Sequence, residues 1–132
     1  MKIMVCYDGT KEAMAALQKA REHTKVWNAT LLVIKSISRE LPLKHHFIEE
    51  TEQKLDDEVK DLLKGDDIHY ETLLLVDSPD VGEQLVEVAK KENIDQIFIG
   101  IVKKSKVGKF IFGSTAQHVI LHAPCPVVTV QE

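Results

Sequence analysis

The sequence predicts an α/β protein built on a parallel sheet with helices on both faces. Two observations lead there. Short apolar runs alternate with segments of helical periodicity from one end of the chain to the other. The runs are apolar at consecutive residues rather than at every second one, the pattern of strands covered on both sides. Strand–helix–strand connections of this kind cross over right-handed and leave their strands parallel.

Lys2–Tyr7 (KIMVCY) is the first strand, ended by the turn pair Asp8-Gly9. Thr10 caps the helix that follows, which gathers Ala13, Met14, Leu17 and Ala20 on one face. Trp27, the only tryptophan, is expected to pack where this helix meets the second strand, Thr30–Ile37 (TLLVIKSI). A stretch containing Pro42 leads to a helix from about His45 to Leu63, striped by Phe47, Ile48, Thr51, Leu55, Val59 and Leu62 and stopped by Gly65. His69–Val76 (HYETLLLV) is the third strand. Ser78-Pro79 opens the next helix, with Ser78 as cap and Pro79 in the first helical position. Its buried stripe is Val81, Leu85, Val88 and Ala89. Gln96–Ile101 is the fourth strand. Ala116, Val119, Ile120 and Ala123 mark a last helix ended by Pro124, and Pro126–Val130 (PVVTV) is the fifth strand. No repeat, low-complexity tract or linker divides the chain, so residues 1–132 read as one domain.

Bulk properties narrow the function classes. Apolar residues make up 44% and charged residues 29%, ordinary for a globular protein. A net charge of −4, with lysines spread along the chain, provides no basic footprint and argues against nucleic acid as the principal partner. No run approaches the ~20 apolar residues a bilayer span requires, and the first residues enter a strand rather than a signal peptide. Cys6 and Cys125 lack metal-ligand spacing, which reads as reduced core thiols in a cytoplasmic protein.

The chemistry is expected at the carboxyl ends of the strands, where open α/β sheets bind ligands. Asp8 directly follows the first strand. After the fourth strand a long segment, Gly100 to Thr115, precedes the last helix, although such loops usually take about 2–6 residues. Gly100, Gly108 and Gly113 permit close backbone approach to an anion. Gly113-Ser114-Thr115 stands at a helix amino terminus, where unpaired N–H groups favour phosphate. Lys103, Lys104, Lys106 and Lys109 add positive charge to the same segment. The plainer reading is that Ser114 caps the helix and the glycines only turn the chain.

KIMVCYDGT at the start, ATLLVIKSI, IFIG and the closing GSTAQHVILHAPCPVVTV together resemble the universal stress protein family over nearly the whole chain. The resemblance implies an adenine-nucleotide alpha-hydrolase-like fold: a doubly wound, five-stranded parallel sheet in the order 3-2-1-4-5. Many members bind ATP through a glycine, two residues, a glycine, nine residues, and a glycine with Ser or Thr. Gly100 matches the first glycine and Gly113-Ser114 the last pair, while Lys103 stands at the middle glycine. A lysine there either obstructs the phosphates or supplies its ammonium to them. Gly108 lends flexibility elsewhere in the segment. By the same resemblance Asp8 holds the ribose, Ser36 occupies the second-strand position whose backbone reads adenine, and Ile99 lines that pocket. Turn formation at Asp8 and core packing at Ser36 and Ile99 are the structural alternatives.

Other signals are weaker. Gly108 to Thr115 has the glycine spacing of a phosphate-binding P-loop, but Ser114 stands where lysine is required. With only Arg21 and Arg39 as arginines, no clamp for a transferring phosphoryl group is evident, so any hydrolysis is expected to be slow and incidental. His45-His46 with Glu49 and Glu50 reads as a solvated helix face. His118 and His122 share one face of the last helix and, lacking a third ligand, read as surface or interface residues. The apolar terminal strand falls at a sheet edge, and the family resemblance implies a homodimer paired through Pro126 to Gln131. The expected function is therefore a nucleotide-binding stress-response or regulatory protein, not an enzyme, with ATP, with or without Mg2+, as ligand. The alternative is a dimeric interaction module of the same family without a ligand.

Overall fold

The structure, a computed structural model, describes residues 1–39, 45–102, 104–106, 109–111 and 113–132, with backbone alone at 104–106 and 109–111. In chain order the elements are β1 (Lys2–Cys6), α1 (Lys11–Trp27), β2 (Thr30–Ile37), α2 (Phe47–Leu62), β3 (His69–Val76) and α3 (Val81–Lys91). They are followed by β4 (Gln96–Gly100), β5 (Lys104–Lys106), β6 (Lys109–Ile111), α4 (Ser114–His122) and β7 (Val127–Val130). The main sheet runs β3-β2-β1-β4-β7 with every pairing parallel, so β7 takes the place expected of the fifth strand. The order 3-2-1-4-5 is the one the family resemblance implied. The short antiparallel ribbon β5–β6 lies in the segment after β4 and was not anticipated by periodicity.

Register explains the unbroken apolar runs. Val5 lies between Val33 and Phe98, and Phe98 opposite Val128; this row packs with α1 and α2. One residue earlier, Met4 lies between Leu32 and Ile97, and that row packs with α3 and α4. Successive residues of a strand point to opposite faces. With both faces covered, both must be apolar.

Several expected details are corrected. α3 is capped by Asp80, whose Oδ1 accepts from the Glu83 N–H at 3.0 Å, and not by Ser78. Pro79 precedes the cap, because the helix begins at Val81; Ser78 donates to the Asp80 carbonyl at 3.2 Å. α2 begins at Phe47, after His46 in the left-handed region (φ 59°), and ends at Leu62. Ile48 and Ile120 are exposed, so the apolar stripes of α2 and α4 are narrower than periodicity implies. Trp27 is 60% exposed rather than packed. The reason is length: a 17-residue helix rises about 25 Å, whereas five-residue β1 spans about 17 Å. The last turn of α1 therefore overshoots the sheet before left-handed Asn28 (φ 48°) turns the chain back.

Both arginines are committed to carboxylates. Arg21 bonds Asp66 and donates to the Leu62 carbonyl (3.0 Å), tying α1 to the end of α2. Hydrogen bonds from Arg21, then from Lys25, hold the Asp66 carboxyl below its usual range. The Arg39 N–H donates to Asp77 Oδ1 at 2.8 Å and its guanidinium bonds the other oxygen, joining the segments that follow β2 and β3. Among the described residues no helix is long and apolar enough to cross a membrane.

Candidate functional site

The connection through α1 places β2 on one side of β1, and the connection through α3 places β4 on the other. Strand order thus reverses between β1 and β4, where an open α/β sheet leaves a crevice at its carboxyl edge. A cavity of about 570 Å3 opens there. Cys6, Ile34 and Ile99 supply apolar wall, Ser36 comes from β2, and Asp8 from the end of β1. Gly100, Ile101 and Val102 follow β4, while Gly113, Thr115 and Ala116 belong to the amino end of α4.

The turn after β1 orders Asp8. Its Oδ1 accepts from the Thr10 N–H (3.0 Å) and from the Thr10 hydroxyl (2.6 Å). The Thr10 hydroxyl oxygen in turn accepts from the Ala13 N–H at 3.2 Å, capping α1 as the sequence implied. Gly9, at φ 84°, takes the left-handed conformation this tight turn requires. Asp8 therefore serves the turn and the cavity together. A carboxylate has about four acceptor sites, and the Thr10 bonds occupy only Oδ1.

The glycines divide differently. A Cβ at Gly100 would lie 2.3 Å from the Glu12 carbonyl oxygen and 2.7 Å from the Ala13 nitrogen. Close passage of β4 beneath the first turn of α1 is thus sufficient reason for glycine here. Among the described residues a Cβ at Gly113 would meet nothing within 4 Å, so no close approach requires glycine there. Gly113 is also the cap residue of α4, with Ser114 the first helical residue and no side-chain cap bond. Thr115 lines the cavity; Ser114 is exposed and does not. Lys103 and Gly108 lie outside the described residues.

Glu12, Val81 and Leu85 also line the cavity, none of them marked by a motif. Val81 and Leu85 were legible only as a buried stripe, since which cavity a stripe borders depends on where α3 docks. Among the described residues the ionisable wall is acidic, Asp8 and Glu12, with no lysine or arginine. Burial, then the Asp8 charge, pushes the Cys6 thiol up to about 12, so it is protonated at neutral pH and a poor nucleophile. Tyr7, beside it, donates to Glu58 Oε1 at 2.6 Å; burial first, then this bond, raises it to about 12.

Fold and cavity define a doubly wound α/β protein with a concave site at its strand-order reversal. The Universal stress protein family profile matches residues 1–131, and the chain belongs to that family. A universal stress protein from Thermus aquaticus, encoded in the QAH/OAS sulfhydrylase 3' region, is 29% identical, with 98% of this chain and 97% of that protein aligned. A universal stress protein structure from Archaeoglobus fulgidus superposes with a TM-score of 0.78 at 30% identity, covering 98% of each chain. Another from that organism, solved in complex with dAMP, gives 0.74 at 26% identity over 98% of this chain and 97% of its own.

Proposed function

We propose that this protein is a nucleotide-binding regulatory protein of the stress-response type, working in the cytoplasm and holding an adenine nucleotide, ATP foremost, in the β1/β4 cavity. The observation that carries this is the convergence of Asp8, Ser36 and the amino end of α4 on one cavity. Adenine would lie against Ile34, Ser36 and Ile99. Asp8 Oδ2 would accept from ribose hydroxyls, and the backbone amides at the amino end of α4, Gly113 to Thr115, would receive phosphate. The dAMP complex of the Archaeoglobus fulgidus relative supports an adenine nucleotide as the ligand class. Both arginines serve structural pairs, in keeping with binding and at most slow hydrolysis.

Calorimetric titration with ATP, with and without Mg2+, tests the reading. The expected result is one equivalent bound in the micromolar range, weakened about 10- to 100-fold by Asp8→Ala, the usual cost of hydrogen bonds to a charged group. No heat at millimolar nucleotide would overturn it and leave the ligand-free interaction module.

Among the described residues β7 pairs with β4 alone, which supports pairing of its other edge with a second copy in a symmetric dimer through Pro126 to Gln131. Light scattering is expected to return twice the 14.9 kDa chain mass at micromolar concentration. A single-chain mass there would rule the dimer out.

A further inference from the structure

We propose that His118 and His122 on α4 form a two-imidazole chelate for a divalent late first-row metal ion: Cu2+, Ni2+ or Zn2+. The two residues are one turn apart, at i and i+4, and their ring centroids lie 4.4 Å apart with 39° between planes. Imidazole nitrogens bind these ions at about 2.0–2.1 Å in the case of zinc, and pairs at this spacing on one helix face can share one ion. The rings are already neighbours, so side-chain rotation can bring two nitrogens onto one ion. Water completes the coordination.

The packing of α3 against α4 fixes half of this pair in advance. A Cβ at Gly82 would stand 2.8 Å from the His118 Cβ, 3.2 Å from its Cγ and 3.3 Å from its Cδ2. The glycine leaves a shelf on which the His118 ring rests, which lowers the ordering cost of chelation. His118 is half-buried and His122 exposed, so the pair is open to solvent. No lysine, arginine, aspartate or glutamate lies within α4 (STAQHVILH), so no fixed charge on the helix competes with or repels an ion. His122 occupies its last turn, where the helix dipole favours positive charge. The other three helices place lysine there: Lys25, Lys60, and Lys90 with Lys91. Neither histidine lines the β1/β4 cavity, so the proposal stands apart from the nucleotide reading.

The test uses the full chain and Cu2+ alone, followed by calorimetry and electron paramagnetic resonance. One equivalent is expected with two nitrogen donors in the coordination plane. Removing one arm of a chelate costs about a hundredfold in affinity, so His122→Ala, at an exposed position, is expected to weaken binding by that factor. The second histidine pair, His45-His46, with ring centroids 3.8 Å apart, is the competing locus. A variant with both replaced by alanine is expected to keep the tight equivalent. Retention of wild-type affinity by the doubly substituted His118→Ala, His122→Ala protein would overturn the proposal. So would loss of the tight equivalent in the His45→Ala, His46→Ala protein.

Discussion

Replacing Gly100 by alanine is expected to lower the melting temperature by roughly 12 °C, from a loss of about 3 kcal/mol at about 4 °C per kcal/mol. The added methyl would overlap the backbone of Glu12, at 2.3 Å from its oxygen and 2.4 Å from its carbonyl carbon. Backbone in the first turn of a capped helix cannot rotate aside as a flexible side chain would. Either β4 or α1 must move, and β4 is held on both sides by β1 and β7. The measurement is thermal unfolding without nucleotide. A glycine serving only a phosphate would leave that transition unchanged and reduce affinity alone. Unchanged melting in Gly100→Ala would therefore show that α1 and β4 are less tightly apposed than the structure has them.

Phe98→Ala is expected to cost about 4 kcal/mol, read as a lower urea midpoint with little change in slope. Phe98 is fully buried in the row with Val5 and Val128. The His23 ring meets it edge-on, with centroids 4.9 Å apart. Truncation leaves a void at the centre of the layer between the sheet and α1 and α2, where close-packed neighbours collapse only in part. Because Phe98 faces away from the cavity that Ile99 lines, nucleotide affinity of the folded fraction should change little. A loss under about 1 kcal/mol would mean that this layer repacks freely.

How much of this was legible beforehand follows from the range over which each feature is specified. The Thr10 cap was legible because it depends on residues three apart, and the β1 and β2 runs because burial on both faces leaves no polar position. At Ser78-Pro79 the local rule chose wrongly. Asp80, two residues on, is a strong capping residue itself, and the helix starts where its carboxylate reaches an N–H. Trp27 failed for a different reason: helical periodicity marks a face, yet contains nothing about where the sheet beneath it ends.

The amino-acid order alone determined the succession of helices and main-sheet strands, the parallel sheet and, through the GSTAQHVILHAPCPVVTV and KIMVCYDGT segments, the family. Each is written in patterns a few residues long, where side-chain period and backbone conformation are coupled directly. Only the tertiary structure decided that Gly100 is needed by α1, that Thr115 and not Ser114 borders the cavity, and that Gly82 makes a shelf for His118. Those are distances between elements far apart in the chain. They are set by how rigid helices seat on a twisted sheet, and no local pattern encodes them.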